Sequence, residues 1–314
     1  MSFTAEVRDE LSRCEGTCDY CDLATLAALV RVSGTLTFAG QGHYSLSVAT
    51  ETGAVARTMI TFTHRILKLK TNLTVRKSVL HKVRNYLVTL PDQPGIDKAL
   101  VLLGILDRQG GLVQGIPHHI VARKCCRMAY LRGALIAGGF VADPHGDFHL
   151  EIAVQGDSLA EALVELLSEI GITARVNRRR SACAVYIKSA RDIERLLASV
   201  GGARCVARIE EARAVKSVKN DVNRRVNAEL ANQGRSAGAS QHQLELIAEL
   251  DRRGLRAGLP KALRSFCDLR ETYPDLSLRD LGEMCDPPLS KSALYHRVIR
   301  LEKILADNGG QSNS

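Results

Sequence analysis

LAALVRVSGTL at residues 26–36 and LRGALIAGGFV at residues 131–141 are two versions of one pattern, with Leu131 following Leu26 by 105 residues. Each is an Ala- and Leu-rich helix of high propensity that runs into glycine and then into β-branched or aromatic residues. The small residues have a use. Ala27, Ala28, Ser33 and Gly34 in one copy, and Gly133, Ala134, Ala137, Gly138 and Gly139 in the other, let two backbones approach closely. The pair is therefore expected to pack helix against helix.

The chain on the C-terminal side of each helix repeats as well. After a helix over 24–31, with Asp22 or Thr25 as its cap, strands are expected at 35–38 and 44–50 around AGQGH. A helix over 54–68, strands at 73–79 and 85–90, and a helix over 96–106 complete the first copy. The second has a helix over 125–137, strands at 140–142 and 148–154, a helix over 158–170, strands at 175–178 and 183–187, and a helix over 190–200. This is a long αββαββα unit used twice, not a short solenoid period. The repeats span about 20–110 and 120–200 of a domain covering 1–203, with a joining helix and linker at 204–235.

In the joining segment, Val215, Val218, Val222, Val226 and Leu230 make an apolar stripe at three- and four-residue steps. Arg213, Lys216, Asn220, Asn223, Arg224 and Asn227 share the other side; of these, Arg213, Lys216, Asn220 and Arg224 are candidate contacts to a phosphate backbone. GRSAGAS at 234–240 reads as a flexible linker. Arg175, Arg178, Arg179 and Arg180, with Lys188 and Arg191, cluster around the last hairpin; Arg178 and Arg180 are further candidates for backbone contact, against the plainer reading of a charged turn.

The C-terminal part, 236–306, is expected to be all-helical, with 307–314 a disordered tail. Helices over 241–251 and 260–273 support a third that starts at a Ser277/Asp280 capping pair. Asp286-Pro287-Pro288-Leu289 forces a turn, because proline lacks the amide a helix interior needs. Ser290 then caps a last helix whose inner stripe is Leu294, Val298, Leu301 and Leu305. A helix, a short turn and a second capped helix make a helix-turn-helix. Lys291, Ser292, Tyr295 and His296 fall outside the stripe near the N-terminal end, where such a helix meets base edges. Arg297, Arg300 and Lys303 are placed for phosphate contact, and Ile299 faces outward without an assigned role.

Charge agrees with a polyanionic partner. Lys and Arg number 43 against 34 Asp and Glu, a formal +9. No secretory signal is expected: MSFTAEVRDELSR has no apolar core, and the apolar run 99–106 is too short for a bilayer. The expected location is therefore the cytoplasm, on nucleoid DNA, with no membrane partner. Nine cysteines then read as reduced thiols. Cys14, Cys18 and Cys21 lie close, with Cys125 and Cys126 far along the chain; spacing gives three thiols no fourth, so neither a metal nor any cofactor is expected.

The segments at 26–36 and 131–141 resemble degenerate LAGLIDADG motifs of homing endonucleases. That resemblance implies an α+β fold in which the two motif helices form a pseudo-two-fold interface and two sheets make a saddle. Active members place a metal-holding acid near the end of each motif; here those positions are Ser33 and Gly138, with Asp22 and Asp143 off the motif. The chain as a whole, from Phe3 to about Leu305, resembles the bacterial WhiA family, most tellingly in YLRGALIAGGFVADP, NDVNRRVNAELAN and LSLRDLGEMCDPPLSKSALYHRVIRL. The resemblance implies a duplicated homing-endonuclease-like domain followed by an all-α helix-turn-helix domain. It further implies a non-enzymatic transcriptional regulator of cell division, sporulation and chromosome segregation in Gram-positive bacteria. Its expected partners are double-stranded DNA and another transcription regulator or RNA polymerase. A protein-interaction platform and a residual endonuclease are the competing readings.

Overall fold

The computed structural model describes residues 2–40, 42–77, 84–178 and 182–308. The chain divides into two compact units, Met1–Lys216 and Ser217–Ser314.

The first unit opens with α1 (Phe3–Leu11), a helix the sequence reading passed over. Its signal was present: Phe3, Val7 and Leu11 recur every four residues and are buried. Burial of such side chains contributes roughly 1.5–3 kcal/mol each. The first repeat comprises α2 (Cys21–Ser33), β1 (Gly34–Phe38), β2 (Tyr44–Thr50), α3 (Gly53–Phe62) with a π-helical turn at Thr63–Leu67, β3 (Asn72–Lys77), β4 (Arg84–Leu90) and α4 (Ile96–Leu102). After a short α5 (His118–Val121), the second repeat is α6 (Lys124–Gly138), β5 (Gly139–Val141), β6 (Leu150–Val154), α7 (Asp157–Ser168), β7 (Arg175–Arg178), β8 (Cys183–Ile187) and α8 (Ala190–Val200).

The two sheets are antiparallel throughout and ordered β1-β2-β4-β3 and β5-β6-β8-β7, so equivalent strands hold equivalent places. Alternation sorts their faces. Leu46↔Leu90 and Val48↔Val88 in one sheet, and Leu150↔Ile187 and Ile152↔Val185 in the other, are buried. The opposite face carries Thr35, Ser47, Thr89 and Asn72 in register across the first sheet, and Phe140, Glu151, Tyr186 and Arg175 across the second.

The expected helix pair is the centre of this unit. Ala24, Leu26, Ala28 and Leu29 of α2 and Ala129, Leu131 and Ala134 of α6 are essentially solvent-free. Thr25 Oγ1 donates across the pair to Ala129 O at 3.1 Å. A Cβ on Gly133 would collide with the Thr25 carbonyl and lie 2.8 Å from Ala28 Cβ, so glycine is required by the close approach. The helix ends match too: a Cβ at Gly34 would lie 3.1 Å from the Val30 carbonyl carbon, and one at Gly139 2.9 Å from Leu135 Cα.

Several expectations are corrected. Neither Asp22 nor Thr25 caps α2: Tyr20 is the N-cap without a side-chain bond, Asp22 pairs with Arg65, and Thr25 is helix-internal. α4 stops at Leu102, short of Leu106, because Gly104 turns the chain at positive φ. β6 begins at Leu150, not Phe148. The largest difference is α9, which runs unbroken over Ala203–Arg252, through the stretch read as a linker. Residues 234–240 hold no proline, and each glycine costs a helix only about 1 kcal/mol. Contacts further along hold it: Ser240 is buried and donates to Pro274 O.

The second unit adds a 3-10 turn at Arg256–Gly258, then α10 (Lys261–Thr272), α11 (Leu278–Glu283) and α12 (Lys291–Asp307). Leu246, Ile247, Leu250, Leu263, Phe266, Cys267, Leu281, Leu294, Val298 and Leu301 form its core. Of the expected tail, Asp307 is the last residue of α12, and 309–314 lie outside the described residues.

Candidate nucleic-acid interface

The helix-turn-helix is built from two capped helices and one tight turn. Ser277 Oγ accepts from Asp280 N at 3.3 Å and donates to Asp280 Oδ2 at 2.7 Å. Ser290 Oγ accepts from Ala293 N at 3.2 Å and starts α12. Between them Leu289 N donates to Gly282 O at 2.9 Å, and a Cβ on Gly282 would lie 3.2 Å from the Leu289 carbonyl carbon. Gly282 thus lets the chain double back.

Two arginines brace this unit, and sequence reasoning missed both. Arg270 is 1% exposed and has no carboxylate partner among the described residues. Its Nε donates to Gln243 Oε1 at 2.9 Å, and its Nη1 donates to the carbonyls of Leu276 (2.6 Å), Tyr273 (3.2 Å) and Pro274 (3.3 Å). It therefore pins the connection between α10 and α11 to α9, and burial lowers its pKa. Arg256 is bonded to Glu271, Asp268 and Asp251, which raise its pKa. No pattern of apolar residues announces an arginine whose partners are carbonyls.

On α12, Leu294, Val298 and Leu301 are buried and Leu305 is half-buried, as the stripe requires. Lys291, Ser292, Tyr295 and His296 are all exposed on the first turns, and the Tyr295 and His296 rings stand 6.5 Å apart. Arg300 and Lys303 are exposed and have no carboxylate within 4 Å among the described residues. Ile299 is exposed. Arg297 departs from expectation: it is half-buried and donates to Ala262 O at 3.1 Å, so it braces α10.

The remaining candidates divide. Arg213 pairs with Glu194 at 3.2 Å, and Lys216 bonds to Gly146 O with its ammonium 4.2 Å from the Phe148 ring centroid. Arg224 pairs with Asp221 one helical turn earlier, and Asn220 is exposed. Arg178 is held by Asp157 (2.7 Å) and Glu161 (3.1 Å), and Asp157 raises its pKa. Arg180 lies outside the described residues. At the motif ends, Ser33 Oγ donates to Leu29 O at 2.9 Å, and a Cβ on Gly138 would lie 2.7 Å from Val32 Cγ1. Neither position offers a carboxylate.

The thiols are not as spacing implied. The fold brings Cys125 and Cys126 onto Cys18 and Cys21, so two of the four thiols come from a distant helix. All four Sγ atoms lie within 4.8 Å of one another. Cys14 stands apart, with Sγ bonded to Gly201 O at 3.4 Å. Among the described residues no helix is long and apolar enough to cross a membrane.

The class these features define is a duplicated LAGLIDADG-like domain, without motif acids, joined to a helix-turn-helix domain. Family models agree piece by piece. The WhiA N-terminal LAGLIDADG-like domain matches residues 19–106, the WhiA LAGLIDADG-like domain 127–219, and the WhiA C-terminal HTH domain 222–305. Proteins named "Probable cell division protein WhiA" are similar over nearly the whole chain. The one from Heliobacterium modesticaldum is 39% identical over 97% of this chain and 96% of its own length. That from Desulfitobacterium hafniense strain Y51 is 41% identical over 97% and 95%. A crystal structure of full-length DUF199/WhiA from Thermatoga maritima shares the fold, with TM-score 0.59 at 23% identity, covering 98% of this chain and 99% of that one. This chain belongs to the WhiA family.

Proposed function

We propose that this protein is a sequence-specific DNA-binding transcriptional regulator, and not a nuclease, serving cell division, sporulation and chromosome segregation. The observation that carries the reading is the uncommitted face of α12. Lys291, Ser292, Tyr295 and His296 are exposed at its N-terminal end, while the opposite side is buried in the unit's core. In this reading α12 enters the major groove, these four side chains meet base edges, and Arg300 and Lys303 meet phosphates. Arg297 acts as a brace, and Asn220 and Arg224 are second-rank backbone contacts. Relatives named as cell division proteins support the biological setting. The protein works on nucleoid DNA in the cytoplasm, with another transcription regulator or RNA polymerase as protein partner.

Ser33 and Gly138 support the non-nuclease part, because a hard cation needs carboxylate oxygens there. The experiment is selection of preferred duplexes from a random pool by the full-length chain, then binding of the selected site. Replacing Lys291, Tyr295 and His296 by Ala should cost roughly 1–3 kcal/mol per lost base contact, about a hundredfold or more in all. A folded triple variant with unchanged affinity overturns the reading, as does Mg²⁺-dependent cleavage of the selected duplex.

A further inference from the structure

We propose that Cys18, Cys21, Cys125 and Cys126 hold one zinc-class divalent cation in a closed tetrathiolate site that ties the loop before α2 to the start of α6. The separations are those of ligands around a single ion. Cys18 Sγ lies 3.4 Å from Cys21 Sγ, 3.5 Å from Cys125 Sγ and 3.6 Å from Cys126 Sγ. Four thiolates each about 2.3 Å from a tetrahedral zinc ion are about 3.8 Å from one another. The cysteines are all free, and these gaps far exceed a sulfur–sulfur bond. An iron–sulfur cluster would hold thiolates on different irons further apart than this compact set.

The duplication accounts for the geometry. Cys126 follows Cys21 by the same 105 residues that separate Leu131 from Leu26, so the two occupy equivalent first-turn positions on the paired helices. Cys18 adds a Cys-x-x-Cys turn, with Cys21 N donating to Cys18 O at 3.0 Å, and Cys125 adds the neighbour of Cys126. The position equivalent to Cys18 is Arg123. Its guanidinium lies 5.0 Å over the Tyr20 ring, and the nearby Cys18 thiol raises its pKa. Binding a divalent ion releases four thiol protons to solvent and leaves a site of net charge −2, which Arg123 partly offsets. With four protein ligands no coordination position is left for a substrate, so the ion's part is structural. It anchors the loop between α1 and α2, where Glu15, Gly16, Thr17, Asp19 and Tyr20 are all exposed and supply no core of their own.

The test is titration of reduced, metal-stripped full-length chain with Co²⁺. Saturation at one equivalent, with the visible bands and thiolate-to-cobalt charge transfer of a tetrahedral tetrathiolate, and displacement by Zn²⁺, is the expected result. Cys18→Ser and Cys126→Ser should each abolish that spectrum, whereas Cys14→Ser and Cys285→Ser should leave it. Arg123→Ala should keep the stoichiometry and weaken binding about 10–100-fold. Should a serine variant not fold, the wild-type chain decides through its titration and the zinc content of the freshly purified protein. A folded wild-type chain that binds neither ion overturns the proposal. So does a spectrum that survives Cys126→Ser in a folded variant, or the absorption of an iron–sulfur cluster in the purified protein.

Discussion

Gly133 and Gly234 are both glycines inside helices, and the structure assigns opposite signs to their replacement by alanine. In an exposed helix the change is worth up to about 1 kcal/mol of stabilisation, because alanine restricts the unfolded chain and shields backbone. Gly234 has nothing within 4 Å of its added Cβ, so Gly234→Ala should gain that amount and raise the melting temperature by a few degrees. At Gly133 the added carbon would meet the Thr25 carbonyl and lie 2.8 Å from Ala28 Cβ and 3.0 Å from Thr25 Cα. Two of these are backbone atoms of a packed helix, so no side chain can swing away and α2 must shift. Overpacking of this kind costs about 1–3 kcal/mol. Contact with backbone puts the cost in the upper part of that range, about 2–3 kcal/mol, so against a propensity gain of about 1 kcal/mol Gly133→Ala should destabilise by about 1–2 kcal/mol, a fall of about 2–8 °C for a unit of this size. Calorimetry of the full-length variants measures both. A Gly133→Ala protein that melts at or above the wild type would refute the claim that the helices touch through their backbones.

Three further outcomes are expected. Arg270→Met keeps the apolar length but strands Gln243 Oε1 and several carbonyls; at about 1–3 kcal/mol for a buried group left unpaired, the loss should reach about 3 kcal/mol in urea unfolding. Arg300→Ala should lower the salt slope of DNA binding by about 1 for all sequences, while Arg178→Ala should leave it unchanged because Asp157 and Glu161 already hold that charge. Glu10 governs an acid transition. Burial pushes its carboxyl up, but Cys205 and the Arg204 and Cys205 amides, helped by the Arg204 charge, outweigh this and hold it below the usual range. Its contribution is therefore complete above a pH of about 4.3 and is lost as pH falls through the lower folded value, so Glu10→Gln should flatten stability against pH in that window.

Much of the fold was legible because its signals are local. The strands at Tyr44–Thr50, Arg175–Arg178 and Cys183–Ile187 come from alternation and β-branched content, and the two glycine-ended helices announce their own pairing. The capped helices around Pro287 and Pro288 were readable for the same reason. What was not legible depends on partners far along the chain. GRSAGAS reads as a linker by composition, yet stays helical with Ser240 anchored to the loop after α10 and Gln243 to Arg270 of α10. Arg178 and Arg213 read as free cations until folding sets carboxylates beside them. Cys125 and Cys126 join Cys18 and Cys21 only because the helix pair brings their first turns together; the common offset of Cys21 and Cys126 was the one signal in the sequence.

Recognition through α12 is best put to the test by genome-wide DNA occupancy of the full-length protein beside the Lys291→Ala, Tyr295→Ala, His296→Ala variant, since truncation at Ser236 would cut α9 mid-helix. Discrete peaks sharing a motif, lost in the folded variant, are the predicted result. Peaks that persist unchanged in that variant would contradict recognition through α12.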